Sequence, residues 1–159
     1  MKKKENPKLN TWLFLLIGYV LLVLHETVFG RTLLGYRHKA SHFLWSYEAW
    51  LMNGDRGIGR QILLNIAMFM PYGFLLTACL SRTKTSRKTA AVIVLLSALL
   101  FSCLIEILQY ELRRGLFEYD DILDNTIGAV LGYAVYRGMR RICRKRLALH
   151  ELECSNHKW

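Results

Sequence analysis

Long uncharged stretches, separated by clusters of basic residues, restrict the fold of this chain more than any other feature. A helix needs roughly 20 residues to cross a ~30 Å hydrocarbon core. Three stretches meet that length, and a fourth meets it if it includes the acids at its start. The predicted transmembrane helices have approximate bounds of 9–29, 61–80, 89–110 and 120–139. The alternative is a soluble bundle. Soluble helices carry a polar face, however, and Asn65, Tyr72 and Thr77 form no stripe.

Basic residues predict the orientation of these helices. They precede the first helix, fill the link between the second and third, and follow the fourth. Cytoplasmic loops of membrane proteins are enriched in Lys and Arg. We therefore expect an all-α, integral membrane four-helix bundle with both termini in the cytoplasm. Its expected domain order is a basic cytosolic N-terminus at 1–8, a membrane domain at 9–139 and a basic cytosolic tail at 140–159.

The net charge of +10 fits the same interpretation. It is mostly the topology signal, together with attraction to anionic lipid head groups. A nucleic-acid partner is not expected, because the basic tail lacks interleaved aromatic residues. The four cysteines show no metal-ligand spacing, so we expect no metal site, no cofactor and no structural disulfide.

The first helix has a second possible interpretation, as a signal peptide cleaved near Val28-Phe29-Gly30. Its long apolar stretch favours an uncleaved anchor. His25 and Glu26 are also unusual beside a cleavage site.

Polar residues occur at one level of the predicted helices, about one turn below the outer surface. Burying a carboxylate in hydrocarbon is costly, so such residues usually face a partner or a cavity. The candidates for a ligand-binding polar cluster are Asn65, Glu106, Gln109, Arg114, Asp121 and Asn125. His25 and Glu26 reach a similar depth on the first helix. Asp124 shares the face of Asp121 on the fourth helix.

Several of these residues also have purely structural interpretations. Asp120 or Asp121 would suit the N-terminus of the fourth helix as a cap. Asn65 could bond a neighbouring helix. Glu106 lies at a helix C-terminal end, where the dipole disfavours an anion, so it needs a cation, a raised pKa or a ligand. Arg114, in the tight link that follows, can fold back onto Glu106 or Asp121.

Helix packing is predicted from Pro71 and from two glycines. Pro71 removes a backbone hydrogen bond and should bend the second helix. Gly128 and Gly132 form a small-xxx-small face on the fourth helix, which should pack closely on another helix. The same face, or the lipid-facing side of the bundle, is a possible surface for a homodimer.

Two motifs carry a resemblance to a known family. The first is Asn65-xxx-Phe69-x-Pro71-x-Gly73-xx-Leu76. The second is Glu106-xx-Gln109 followed by Arg114-Gly-x-Phe117-x-x-Asp120-Asp121-xxx-Asn125-xx-Gly128-xxx-Gly132. With Trp45-Ser46-Tyr47 before them, the motifs resemble the VanZ-like family of small bacterial membrane proteins over about residues 40 to 136. The family usually has an apolar residue where this chain has Asp124, and an asparagine and proline-phenylalanine where it has His42-Phe43-Leu44.

The resemblance implies a multi-pass protein of the bacterial plasma membrane with a role in the cell envelope. The family is named after a member of a glycopeptide-resistance cluster. That member gives low-level resistance to teicoplanin and not to vancomycin, without remaking the D-Ala-D-Ala target. The implied function is glycopeptide or lipoglycopeptide resistance, or envelope homeostasis.

Three hypotheses follow, and we favour the first, which is not enzymatic. In it, an outer-leaflet pocket binds a membrane lipid, a lipid-linked peptidoglycan precursor or a lipoglycopeptide. Arg114 would meet phosphate or carboxylate, and Asn65, Gln109 and Asn125 would orient the ligand. The acids could bind an amine, or a phosphate through a divalent cation.

The second hypothesis is a membrane-embedded enzyme that acts on a lipid-linked cell-wall precursor. Glu106 and Asp121 would be an acid/base pair, with Arg114 stabilising an oxyanion. No serine or cysteine is placed beside them as a nucleophile, so no catalytic residue is assigned. The third hypothesis is a structural membrane subunit, in which the motifs only hold helices together.

Overall fold

The structure is a computed structural model, which describes residues 7–34, 39–40 and 42–156. These residues form a helical fold. Of the predicted N-terminal segment, residues 1–6 lie outside the described residues. The helices are α1 (Pro7–Leu24, continued by a π-helical turn at His25–Phe29), α2 (Trp45–Leu51), α3 (Arg56–Leu80), α4 (Arg87–Glu111) and α5 (Tyr119–Asn156). Within the described ranges, the one β contact is an isolated bridge between Lys39 and Phe117. The all-α prediction is confirmed.

Helices α3 and α4 begin at side-chain caps. The Asp55 carboxylate accepts hydrogen bonds from the backbone N–H groups of Gly57 (2.8 Å) and Ile58 (3.1 Å). Ser86 accepts one from the N–H of Thr89 at 3.1 Å. Such caps satisfy N–H groups that have no partner inside a helix. The charge pattern outlines only the apolar part of a helix, so it placed the start of α3 at 61 rather than at Arg56.

Three helices are long and apolar enough to cross a membrane: Leu9–Phe29, Arg56–Leu80 and Arg87–Glu111. Their apolar surface faces mostly outward, with only 17%, 39% and 28% of the respective apolar windows buried inside the structure. Phe14 and Leu100, for example, are 77% and 73% exposed. A soluble bundle would bury such surface, so these helices indicate a membrane protein.

Helix α5 does not meet the same criterion. Acids occupy its first turn, and basic residues occupy much of its second half. A fourth crossing, and with it the cytoplasmic placement of both termini, therefore stays a prediction. The helix continues to Asn156 instead of ending near residue 139. No proline follows Gly138, and the Arg, Lys, Leu and Ala residues that do follow are good helix formers.

Close backbone contact joins α5 to α3 at glycines. A Cβ added to Gly73 would lie 1.9 Å from the carbonyl oxygen of Ala129, and one added to Gly128 would lie 2.1 Å from that of Ile66. Gly132 meets the α3 backbone in the same way. The predicted glycine packing face is thus confirmed. Because α3 covers this face within one chain, the lipid-facing side is the surface left for a homodimer, which stays a prediction.

Aromatic side chains fill the core beside these contacts. The Phe69 ring lies 5.7 Å from that of Tyr72 and 5.5 Å from that of Phe101, centroid to centroid. Phe69 is fully buried, and α3 remains helical through Pro71. These rings join α3 to α4, beside the glycine contacts that join α3 to α5. This packing sets the position of the polar residues at their ends.

Candidate functional site

Buried polar side chains gather at the end of the bundle where α3 and α5 begin and α4 ends. Each is at most 8% exposed. We call this set the polar cluster: Asn65, Glu106, Gln109, Glu118, Asp120, Asp121, Asp124 and Asn125. Five of the eight are acids, although buried carboxylates are costly unless they are hydrogen-bonded or paired. The partners of each acid therefore show what the cluster does.

Asp120 connects α5 to the start of α2. Its carboxylate accepts hydrogen bonds from the backbone N–H of Leu44 (2.6 Å), the N–H of Ser46 (3.0 Å) and the hydroxyl of Ser46 (2.6 Å). These N–H groups belong to the first turn of α2, so Asp120 caps a helix other than its own. The suggestion that Asp120 only caps the fourth helix is wrong.

Asp124 provides a second attachment of α5 to α2. It accepts a hydrogen bond from the hydroxyl of Tyr47. Burial, followed by the hydrogen bond to Asp124 and the negative charges of Asp124 and Asp120, raises the pKa of Tyr47. The phenol therefore stays protonated and continues to donate. Asp124 therefore has a hydrogen-bond partner on α2.

Asp121 and Glu106 are each held by one donor. The Asn65 side-chain amide donates to Asp121 at 2.8 Å, which joins α3 to α5. The backbone N–H of Glu118 donates to Glu106 at 2.8 Å, which joins the α4–α5 link to α4. Both predicted acid/base candidates therefore lie in the cluster, and each already accepts a hydrogen bond from the chain.

The amides of the cluster reach the remaining helices. Asn125 donates to the hydroxyl of Ser102 on α4 at 2.8 Å. Gln109 donates to the carbonyl oxygen of Thr27, in the π-helical turn after α1, at 2.9 Å. Five of the six predicted site residues are therefore brought to one end of the bundle, where they link α1, α3, α4 and α5.

Arg114, the sixth predicted residue, does not pair with a carboxylate. Its guanidinium donates to the carbonyl oxygens of Phe29 (2.8 Å) and Arg31 (2.9 Å). These carbonyls end the π-helical turn, so Arg114 caps the C-terminal end of the first helix. The expectation that it folds back onto Glu106 or Asp121 is wrong.

Arg31 is the cation that acts on the acids. It is half-buried, and its positive charge interacts with Glu106, Glu118 and Asp121. Burial raises the pKa of Glu118, and the charge of Arg31 opposes this effect. Arg31 follows an irregular turn in a loop. No local pattern in the sequence distinguishes it from the other basic residues there.

His25 and Glu26 lie outside the polar cluster. Their side chains are 67% and 64% exposed and contact each other at 3.2 Å. The π-helical turn changes the direction of successive side chains relative to an α-helix, and it buries Thr27 and Val28 instead. His25 and Glu26 therefore contribute no side chain to the polar cluster.

A narrow cleft lies against the cluster, and it has no room for a water molecule in this structure. Its lining consists of Trp45, Ser46, Ile58, Gln61, Ile62, Glu118 and Asp121. Among the described residues, four buried polar atoms have no hydrogen-bond partner: Trp45 Nε1, Gln109 Oε1, Asp124 Oδ2 and Asn125 Oδ1. No three His, Cys, Asp or Glu side chains in the described part of the chain are arranged to hold a metal ion.

Besides Arg31, sequence reasoning missed four contributors to this site: Ser46, Tyr47, Ser102 and Glu118. Ser46 and Tyr47 belong to the Trp45-Ser46-Tyr47 segment, which the family resemblance had already singled out. Their hydrogen bonds to α5 join residues that are distant in sequence, so these contacts can be recognised only in the folded structure. Ser102 looks like an ordinary small residue in an apolar helix.

Outward-facing apolar helices and a buried polar cluster at one end define the class: a small helical membrane protein. A family model described as VanZ/LLP1 matches residues 11–143, so the chain belongs to the VanZ/LLP1 family. The suspected VanZ-like membership is thereby confirmed. No curated protein and no solved structure matches the chain.

Proposed function

We propose that this protein acts in the bacterial cell envelope by receiving one hydrogen-bonding group of a lipid-linked component in the polar cluster. The component would be a cell-wall precursor or a lipoglycopeptide such as teicoplanin, met at the outer leaflet. The outcome would be resistance or envelope homeostasis. The observation that carries the proposal is the cleft lined by Trp45, Gln61, Glu118 and Asp121, beside a buried indole N–H that has no partner.

The chemistry of the cluster favours a ligand that donates hydrogen bonds. Its acids outnumber Arg31, the one cation among the described residues whose charge acts on them. Among the described residues, three cluster members that lie behind the cleft lining carry an unpartnered acceptor oxygen: Gln109, Asp124 and Asn125. Trp45, at the cleft itself, carries an unpartnered N–H donor, so the ligand group must also accept a hydrogen bond there. An amine or a sugar hydroxyl supplies the missing donors, and a cationic amine would also offset the buried negative charge.

The cleft limits how much of a ligand can enter. Pockets that take whole small molecules enclose roughly 300–1,000 Å³, whereas this cleft has no room for a water molecule in the present side-chain arrangement. One functional group could enter only after the lining side chains move, with the rest of the ligand outside. Apolar side chains next to α2 are exposed, including Phe43 (57%), Leu51 (70%) and Met52 (80%). Such a surface is suited to the membrane interface, where a lipid-linked ligand resides.

The test compares two tryptophans of α2. Trp45→Phe removes the unpartnered N–H of a cleft residue while keeping most of its volume. Trp50→Phe is the matched control, since Trp50 packs against Gly59 outside the cleft lining. Teicoplanin susceptibility and protein level are measured for both variants in a host that lacks its own homologue. We expect at least a fourfold loss of resistance for Trp45→Phe at normal protein level, and none for Trp50→Phe.

A second cleft variant, Gln61→Ala, should behave like Trp45→Phe. Unchanged susceptibility in both, with normal accumulation of the protein, would contradict the proposal. An alternative readout is lipid-linked precursor retained by the purified protein, followed by mass spectrometry. This second measurement would detect ligand binding even if the protein acts in envelope homeostasis and confers no resistance.

The structural-subunit hypothesis has an observation of its own in its favour. Most polar contacts of the cluster are internal, from Asp120 to α2 and from Asn65 to Asp121. If these contacts are the whole role of the cluster, Asp121→Asn will lower protein level and function in step. Loss of function at normal level would instead support the ligand site. No described contact favours the enzymatic hypothesis over these two.

A further inference from the structure

A second cavity lies at the opposite end of the bundle, where α3 ends and α4 begins. It encloses about 290 Å³ between these helices and the middle of α5. Five arginines contribute to its lining: Arg87, Arg137, Arg140, Arg141 and Arg144. Hydroxyl groups of Ser81, Thr85 and Ser86 line the same cavity. It shares no residue with the polar cluster.

Within the part of the chain whose side chains the structure describes, no acid balances the positive charge of this cavity. The sequence has no Asp or Glu in residues 56–105 or 125–150. None of the five arginines forms an ion pair or donates a hydrogen bond to a described residue. Guanidinium groups clustered without acceptors repel one another, and a bound anion would remove this repulsion.

The arrangement of the arginines goes beyond a topology signal. Arg137, Arg141 and Arg144 are spaced i, i+4 and i+7, so they lie on one face of α5. Like charges at this spacing weaken a helix. The enrichment of Lys and Arg in cytoplasmic segments requires only that these residues lie on that side of the membrane; it does not require them to share one cavity. Exposed Arg82 and Arg146, which do not line the cavity, satisfy that rule equally well.

We propose that this cavity binds the phosphate of an anionic phospholipid from the leaflet on that side of the membrane. The planar guanidinium fork binds phosphate oxygens in pairs. The cavity also includes the N-terminal end of α4 at Ser86 and Arg87, where free N–H groups and the helix dipole favour an anion.

A groove next to the cavity favours a phosphate that is part of a lipid over a free phosphate. This groove encloses about 460 Å³ between α4 and α5 and shares Arg87, Arg137 and Arg141 with the cavity. It continues over Ala91 and Ala134, which are apolar. A diacyl phospholipid can place its phosphate among the shared arginines and lay an acyl chain along this surface. A soluble phosphate ester would leave the groove empty.

The test measures lipid binding by the full-length protein in detergent. Native mass spectrometry records retention of phosphatidylglycerol against phosphatidylethanolamine, and a parallel titration uses inorganic phosphate. The cavity variant is Arg137→Gln/Arg141→Gln. The control, Arg82→Gln/Arg146→Gln, loses the same charge outside the cavity. We expect at least a tenfold preference for phosphatidylglycerol in the wild type and the control, and loss of that preference in the cavity variant.

Three results would overturn the proposal. Equal losses in both double variants would show attraction by net charge rather than a site. If the wild type showed no preference for phosphatidylglycerol, an anionic phospholipid would be excluded as the ligand of the cavity. Full displacement of the lipid by millimolar inorganic phosphate would make this a site for free phosphate. Arg140→Gln/Arg144→Gln provides a second cavity variant, and it should match the first.

Discussion

Buried carboxylates are the costly residues of this protein, and their hydrogen bonds explain where each one lies. Asp120 accepts three bonds from α2, while Asp121, Asp124 and Glu106 each accept one from a different element. Glu118 has no such bond in the described structure, and it depends on the charge of Arg31. The acids are therefore unequal, and their substitutions should have different effects.

Glu118 should make stability depend on pH. Burial raises the pKa of Glu118 above its ordinary value of 4.5. The folded protein therefore holds a proton that the unfolded chain releases, and stability falls as the pH rises from about 4.5 through the raised pKa. Glu118→Gln cannot ionise, so it should match the wild type at low pH and exceed it in melting temperature at neutral pH.

Thermal unfolding in detergent between pH 4 and 8 measures this difference. Glu26→Gln, at an exposed glutamate, controls for the loss of one carboxylate. A wild type that is more stable than Glu118→Gln at neutral pH would contradict the account. It would mean that the attraction of Arg31 exceeds the cost of burial.

Asp120 should control the order of the segment around α2. Asp120→Ala leaves two N–H groups and a hydroxyl without their acceptor, at a cost on the order of 1–3 kcal/mol for each buried group left unpaired. Backbone hydrogen exchange in residues 42–51 should become faster. Asp120→Asn keeps one acceptor oxygen, so it should have a smaller effect. If Asp120→Ala left the rate of backbone hydrogen exchange unchanged in this segment, the attachment of α2 to Asp120 would be ruled out.

Sequence reasoning identified the residues of the cluster better than their contacts. Asn65, Glu106, Gln109, Asp121 and Asn125 stand out because polar groups in apolar helices need a partner. The partners themselves are mostly distant in sequence, as Gln109 and the carbonyl of Thr27 are. Arg114 was misassigned because backbone carbonyls at an irregular helix end leave no trace in side-chain patterns.

At the scale of elements, close packing of α5 on α3 positions the cluster. The glycines that permit this contact were visible as a small-xxx-small pattern. The short helix α2 and the π-helical turn were not visible. The first has only seven residues and is held by a distant acid, and the second depends on bonds from Gln109 and Arg114. Helix periodicity cannot predict elements of this kind.

Two alanine substitutions on α5 should separate packing from helix propensity. Gly128→Ala would place its Cβ 2.1 Å from the Ile66 carbonyl oxygen, whereas Gly138→Ala has no atom within 4 Å. Overpacking costs about 1–3 kcal/mol, while alanine in an open helical position gains roughly 0.5–1 kcal/mol. Thermal unfolding should show destabilisation in the first variant only. Equal melting temperatures would contradict the close contact of α3 with α5.

At the scale of the molecule, the two ends of the bundle differ in charge. One end holds the buried acids of the polar cluster, and the other holds the arginine cavity. Helix α3 joins them and is one of the three helices able to cross a membrane. The two sites should therefore meet different compartments. The basic end is predicted to be cytoplasmic, so the polar cluster would face the cell exterior.

Cysteine labelling in intact cells tests this central claim most directly. On a background without native cysteines, Asn53→Cys reports the end with the polar cluster, and Lys84→Cys reports the end with the arginine cavity; both positions are exposed. A membrane-impermeant maleimide should label Asn53→Cys in intact cells, and Lys84→Cys only after permeabilisation. Labelling of Lys84→Cys from outside, with Asn53→Cys protected, would place the acids in the cytoplasm and contradict the account.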